Sequence, residues 1–416
     1  MKSNTFIVLL IFLIFFVISF LSNILGPIIP DIVDSFDLSI GLAGFLPFAF
    51  FVAYGIASIP SGILVEKYKE KRVLFWAFLL AFSGALLFAV MPTFAVALLS
   101  LFIIGIGMAM LQWSSTRCYG LRVVKPILPL TRLWRNFFCG ASFLSPMLYS
   151  YLVLNVHTNP APNALINTLN GIVPSDLKWV SLYWVFAVIA LLMVVVVKLV
   201  KFPEVELNED EKIDTQNAFK DLLGNRYVWL FFLGIFCYVG TEQGIANWIS
   251  KFLQTYHNID PAIEGASVIS YFWGLLTIGC VLGLVLLKIF DSRRVLLLFT
   301  TGAIISLLVG LFGPISLALY AFPLSGFFAS VMWSIIVSLA LNSVPYHHGT
   351  FSGILCSGIA GGAVVPLVIG GLAEWVGLRL AMLFLIITLG YIFSIGLWAK
   401  PLVTNATIKN WKELFA

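Results

Sequence analysis

Gly62-Ile63-Leu64-Val65-Glu66-Lys67-Tyr68-Lys69-Glu70-Lys71-Arg72 lies between two long apolar runs. Gly283-Leu284-Val285-Leu286-Leu287-Lys288-Ile289-Phe290-Asp291-Ser292-Arg293-Arg294 lies between two more. Each stretch starts with a glycine near a helix end, passes an acid and finishes on a cluster of bases. So charged a turn stays on one side of a membrane. Its return about 220 residues later implies a second half that repeats the first, the arrangement of a duplicated membrane domain.

The composition agrees. Of 416 residues, 61% are hydrophobic and 10% charged, with a mean hydropathy of +1.03. Soluble domains hold about 45–50% apolar and about 25% charged residues, so that class is excluded. Twelve apolar runs long enough to cross a bilayer lie near 5–29, 38–65, 73–91, 94–112, 137–155, 179–199, 227–252, 264–287, 295–313, 314–343, 350–373 and 379–399. The expected fold is an all-α membrane protein of twelve transmembrane helices in two six-helix, pseudo-symmetric bundles. Residues 1–200 form the first bundle and 227–400 the second. Residues 201–226, with six acids in their first half, are the solvated linker, and 401–416 are a cytoplasmic tail.

The run at 5–29 has no small-residue cleavage site and reads as a retained first span. Net charge is +5, but the sidedness of the bases says more. Lys67, Lys69, Lys71, Arg72, Lys198, Lys288, Arg293, Arg294 and the bases of linker and tail fall on one side. Lys178, Lys251 and Arg379 fall on the other, which places both termini in the cytoplasm. The five cysteines show neither metal nor disulfide spacing and read as small apolar filler, with no cofactor or metal implied.

The seventh run contains Tyr238-Val239-Gly240-Thr241-Glu242-Gln243-Gly244-Ile245-Ala246-Asn247-Trp248-Ile249-Ser250-Lys251. Glu242 is read as the only charged residue well inside a span. An ionised group there costs about 2.5–3.5 kcal/mol on insertion scales, so it should face a cavity or a partner. Gln243, Asn247 and Ser250 follow i, i+4, i+7 spacing and form one polar stripe, with Glu242 about 100° to the side. Gly240 and Gly244 allow close packing or an unwound segment around it. Amides donate to and accept from hydroxyls, and an indole such as Trp248 offers a flat apolar face, a combination suited to a sugar. Burial makes a carboxylate prone to take up a proton, which makes Glu242 a candidate proton carrier. Trp273, Trp333 and Asn342 are weaker candidates for lining a cavity.

Six spans, a linker, six spans and the repeated loop resemble the major facilitator superfamily. Its first loop has the form G-x-x-x-[DE]-[RK]-x-G-x-[RK]-[RK]. Gly62, Glu66, Lys67, Lys71 and Arg72 fit, while Lys69 stands where the second glycine belongs. The second copy is degenerate. The resemblance implies a conformational latch in which acid and bases pair with each other and with helix ends across the bundle interface. Contacts made in one conformation and broken in the other bias the equilibrium between them.

The text of the seventh span is similar to the fucose–proton symporter family, which includes glucose, galactose and N-acetylglucosamine permeases. Ser58-Ile59-Pro60-Ser61-Gly62 and Gly361-Gly362-Ala363-Val364-Val365-Pro366 agree with it. The resemblance implies import of a monosaccharide or amino sugar by proton symport with alternating access, across the cell inner membrane, by a monomer without nucleic-acid partners. Asn23 matches a family asparagine. Gly26 and Gln112 stand where the fucose permease carries acids, so its coupling cannot be copied and Glu242 becomes the main proton-coupling candidate. Asn23, Gln112, Gln243, Asn247 and Trp248 are the expected substrate-binding residues.

One tract departs from the pattern. Residues 113–139 carry five bases and no acid where one span should end and the next begin. Codons for Trp113–Gly120 exist that, shifted by one base, read V-V-I-N-P-L-L-R. Continuing in that frame restores an Asn-Pro span ending and a short turn before Cys139. The tract therefore reads as a compensated one-base frameshift, in the gene or in its sequencing, and resequencing the DNA for residues 110–142 tests it.

Alternatives within the architecture are an efflux antiporter, whose pocket would be more apolar, and an inactive product of a frameshifted gene. A membrane enzyme needs a catalytic constellation. His157, His257, His347 and His348 lie at loops or span ends, with no H-E-x-x-H or G-x-S-x-G pattern. A sensor would need an added signalling domain, for which the tail after Lys400 is too short.

Overall fold

The computed structural model describes residues 2–122, 141–200, 220–344 and 346–401, which are nearly all helical. Eleven helical stretches among them are long and apolar enough to cross a membrane. The twelfth, Ala141–Asn155, follows a segment outside the described residues. In chain order the spans are 1 (Lys2–Ser22 and Leu25–Phe36), 2 (Ile40–Ala43 and Phe45–Tyr68), 3 (Glu70–Val90), 4 (Phe94–Arg122), 5 (Ala141–Asn155) and 6 (Ser181–Leu199). The second six are 7 (Arg226–His257), 8 (Ala266–Ile289), 9 (Ser292–Phe312), 10 (Ile315–Ala329 and Met332–Ser343), 11 (His348–Ser357 and Gly361–Val376) and 12 (Phe384–Trp398). Residues 123–139 of the anomalous tract, most of the expected linker and the tail after Pro401 lie outside the described residues, and span 4 itself runs on to Arg122.

Span 1 ends at Phe36 rather than near residue 29. Asp31 and Asp34 look like loop residues in the sequence, yet both continue the helix because protein groups meet them. The Tyr149 hydroxyl donates to Asp31 Oδ2 at 2.7 Å, and Lys251 Nζ reaches Asp34 Oδ1 at 3.2 Å. Glu242 is therefore not the only charge inside a span, a correction to the sequence reading. Span 1 is also broken at Asn23-Ile24. Pro27 has no N–H for the carbonyl four residues back, and its ring crowds that carbonyl, which belongs to Asn23. The Asn23 amide turns back and donates to Ser19 O at 3.4 Å, which ties the side chain to the end of the first helical segment.

The two halves repeat each other in small details. Spans 1 and 7 both end in a left-handed residue, Asp37 (φ 49°) and Asn258 (φ 53°), residue types that tolerate that conformation. Two residues later Ser39 and Asp260 cap the next helix, accepting from Leu42 N and Ala262 N. The charged loops also correspond. Lys71 Nζ donates to Lys198 O (2.9 Å) and Val200 O (2.7 Å) at the carbonyl end of span 6. Arg293 donates through Nε to Gly396 O (3.0 Å) and through Nη2 to Leu397 O (2.9 Å) at the carbonyl end of span 12. In each half a base at the start of the third helix holds the negative end of the sixth. The second loop is degenerate as text but keeps this contact.

Lys69 has φ 65° and ψ 152°, a region populated almost only by glycine. It fills the place of the second glycine in the loop pattern, so the chain carries a side chain where the backbone disfavours one. Relief of that strain is worth about 1–3 kcal/mol. Lys69→Gly should raise the midpoint of thermal unfolding in detergent by several degrees, and an unchanged or lower midpoint would contradict the strain.

Candidate functional site

The halves meet along a seam between span 1 and span 7. A Cβ added at Gly26 would lie 2.2 Å from the Ala246 carbonyl oxygen and 3.2 Å from Ile269 Cδ1 of span 8. Only a glycine permits this crossing. One turn nearer the face that carries the termini lies a polar cluster. Tyr238, four residues before Glu242 and so on the same helix face, donates its hydroxyl to Glu242 Oε2. The Gln243 amide donates to Glu242 Oε1 and, across the seam, to Asn23 Oδ1, each at 3.3 Å. Asn23 in turn donates to Ser142 Oγ of span 5 at 2.8 Å, and Ser142 donates to Ser19 O at 3.2 Å. Asn247 donates to Gln243 O at 2.8 Å and to Gln243 Oε1 at 3.4 Å. Polar side chains from spans 1, 5 and 7 thus join in one network, with both Glu242 oxygens accepting. Gly362 of span 11 backs it: a Cβ there would meet the Phe51 ring at 3.0 Å and Gln243 Cγ at 3.2 Å.

The expected binding residues are partly united. Asn23, Gln243 and Asn247 come together with Glu242. Gln112 is half-buried on span 4, and among the described residues no hydrogen bond joins it to the cluster. Trp248 is fully buried, donates to Pro366 O at 3.1 Å and packs against Gly370 of span 11. An indole so enclosed fastens spans 7 and 11 and offers no face to a sugar in this conformation. Of the expected latch, the structure describes the bases and the glycine. Lys71 is bound within its own half, on the helix-end carbonyls of span 6. Lys67 lies over its neighbour Tyr68 at 5.3 Å, Arg72 is exposed, Gly62 faces Trp113, and the side chain of Glu66 lies outside the described residues.

Two groups escaped the sequence reading. One is Ser142, which has no local signal. The other is the Asp34–Lys251–Gln254 set, in which Lys251 also donates to Gln254 Oε1 (2.8 Å) and Gln254 donates to Asp34 Oδ2 (3.0 Å). The sequence counts Lys251 with the bases of the outer side; in the structure it is buried near the end of span 7. With the contacts of Ser39 Oγ and Gly41 N (3.1 Å) to Glu374, this set closes the halves on the face opposite the termini. Asp34 is 55% exposed, so its ion pair contributes at most about 1 kcal/mol, a strength suited to a contact that must open. On the other face Gly55 approaches Ala360, and Trp113 lies between Gly62 and Gly353. The halves therefore touch on both sides of the cluster.

Comparison with known proteins bears on this geometry. The model of the Major Facilitator Superfamily matches residues 11–358. The glucose/galactose transporter of Brucella abortus biovar 1 is 30% identical over 381 residues, covering 89% of this chain and 88% of that protein. The L-fucose-proton symporter of Escherichia coli is 25% identical over 374 residues, covering 84% and 83%. Among solved structures, the outward conformation of the transporter FucP superposes with a TM-score of 0.67 at 21% identity, covering 96% of this chain and 99% of that one. The nucleoside transporter NupG reaches 0.72 at 15% identity, covering 93% and 97%.

Proposed function

Because this chain belongs to the Major Facilitator Superfamily, we propose that it is a secondary active transporter that imports a monosaccharide or amino sugar together with a proton. The observation that carries this reading is the hydrogen-bonded set Tyr238–Glu242–Gln243–Asn23, a carboxylate and two amides bridging the two halves at mid-membrane. Relatives transporting glucose and galactose, or fucose with a proton, support the substrate class and the coupling.

The chemistry follows from donor and acceptor counts. Ionised, Glu242 only accepts, and Tyr238 and Gln243 occupy its two oxygens. Both hydrogens of the Gln243 amide are then used, one on Glu242 and one on Asn23. Protonation turns one carboxyl oxygen into a donor: beside Tyr238 the hydroxyl then accepts and its own O–H is freed, and beside Gln243 the amide N–H must turn away, so either way a protein donor is released. A sugar hydroxyl can accept from that group while donating to Asn23, Asn247 or Gln243 oxygens. The proton thereby favours the sugar and, by linkage, the sugar favours the proton. Rocking of the halves about the seam exposes the loaded site to either face.

We assign the sugar contacts to Asn23, Gln243 and Asn247, keep Gln112 as a candidate wall on span 4, and assign Trp248 to packing. We infer a monomer in the cell inner membrane with both termini in the cytoplasm and with bundles of residues 1–200 and 227–400. Residues 113–139 carry the signature of a compensated one-base frameshift. In proteoliposomes preloaded with hexose, labelled glucose, galactose, fucose or N-acetylglucosamine should exchange inward in counterflow, inhibited by an excess of the unlabelled sugar. Absence of counterflow with all of them would refute the reading.

A further inference from the structure

Trp273 of span 8 is 4% exposed, and its indole N–H has no hydrogen-bond partner. Trp179 gives its N–H to Ser35, Trp229 to Leu223 O and Trp248 to Pro366 O, while among the described residues Trp184 of span 6, away from the seam, shares the unpaired state. A buried donor left unpaired costs about 1–3 kcal/mol. Three residues earlier, near the same helix face, the Ser270 hydroxyl is fully buried and also unpartnered. Two adjacent empty-handed donors need a reason.

Their position supplies one. Ile269 touches the crossing of Gly26 with Ala246. Span 8 runs antiparallel to spans 1 and 7, so one turn onward from Ile269 reaches Trp273. One turn back from Gly26 and Ala246 reaches Asn23 and Glu242-Gln243. Ile269 and Trp273 are four residues apart and share a face. On the other flank Gly274, beside Trp273, admits Phe143, whose ring would lie 2.9 Å from a Cβ there. Phe143 adjoins Ser142, which holds Asn23. Trp273 is thus bracketed at the level of the polar cluster, between spans that contribute to it.

We propose that Trp273 is a substrate-positioning residue: its indole N–H, aided by the Ser270 hydroxyl, donates to one hydroxyl of the transported sugar. The aromatic wall expected from the sequence at Trp248 is supplied from span 8 instead. This rests on the sugar-transport reading above and deepens it.

The test is counterflow kinetics in proteoliposomes with the wild-type sugar and its series of monodeoxy analogues. Trp273→Phe keeps the ring and loses the N–H. It should raise KM about tenfold, the equivalent of about 1.4 kcal/mol, with kcat within about twofold. Wild type should discriminate against one monodeoxy analogue in particular, and Trp273→Phe should lose that discrimination while keeping the rest. Unchanged KM and an unchanged deoxy profile would overturn the assignment. If Trp273→Phe does not reach the membrane, Ser270→Ala removes only an unpartnered hydroxyl and carries the same test, with the same two outcomes. A wild type that moves none of the sugars defeats the transport reading itself, whereas wild-type counterflow with indifferent variants defeats only the role of Trp273.

Discussion

Glu242→Gln should abolish proton-driven accumulation while leaving sugar exchange partly intact. Glutamine is neutral at every pH and carries a donor where protonated Glu242 would, so it imitates the loaded carboxyl permanently. The halves can still close around sugar, and counterflow survives. What is lost is the change of state on which coupling depends. One pH unit is worth 1.36 kcal/mol, so one proton per sugar supports about tenfold accumulation per unit of gradient in wild type. In the variant the ratio of inside to outside sugar should fall to about one, and uptake should no longer respond to an imposed gradient. Accumulation that persists at the wild-type level would remove Glu242 from the coupling step and turn attention to Asp31, which Tyr149 holds elsewhere in span 1.

Gly26→Val should stop transport without unfolding the protein. The new Cβ alone would lie 2.2 Å from the Ala246 carbonyl oxygen, so spans 1 and 7 must part by roughly an ångström before the branched methyls are counted. Their crossing is a contact between halves, and each bundle keeps its own core. Separation there undoes the closure made by Lys251 with Asp34 and by Glu374 with Ser39. A displacement of that size at a positioning contact costs about a hundredfold in rate. Counterflow should fall by at least that factor. In a cysteine-free background, Asn247→Cys, buried in the closed form, should become reactive to an impermeant thiol reagent from the face opposite the termini. Gly361→Val is the contrast. Its Cβ would lie 1.9 Å from Phe236 O within the second bundle, so it should lower expression and thermal stability. Wild-type rates in Gly26→Val would show that the seam opens more freely than its packing indicates.

Most of the architecture is written in the apolar runs, because a bilayer imposes length and composition on each span separately. Span 1 shows the limit of that reading. Asp31 and Asp34 look like the end of a helix until Tyr149 and Lys251, more than a hundred residues away in the chain, are seen to meet them. The site divides along the same line. Glu242, Gln243 and Asn247 stand within two turns of one helix: periodicity groups the two amides, and Glu242 is legible as a lone acid in an apolar run. Ser142 depends on which helices cross at mid-membrane, and a serine at such a place looks like any other; Trp273 is visible in the sequence as one of several cavity candidates, and only the crossing of the helices separates it from the rest. Trp248 misleads for a related reason. Its partner is a backbone carbonyl, and carbonyls leave no mark in a sequence. The Lys71 contact is hidden in the same way, since it ends on the carbonyls of Lys198 and Val200.

The matching grips of Lys71 and Arg293 have a mechanical meaning. The chain leaves the first half just after Val200 and ends its described course just after Leu397, beside the two carbonyl clusters these bases hold. A pull along the linker or the tail is therefore not borne by the last helix alone but spread at once into the third helix of the same bundle. Each bundle is girdled where it is most easily peeled, and force reaching it swings the whole block. The duplicated loop works as the rivet of a lever, one on each arm.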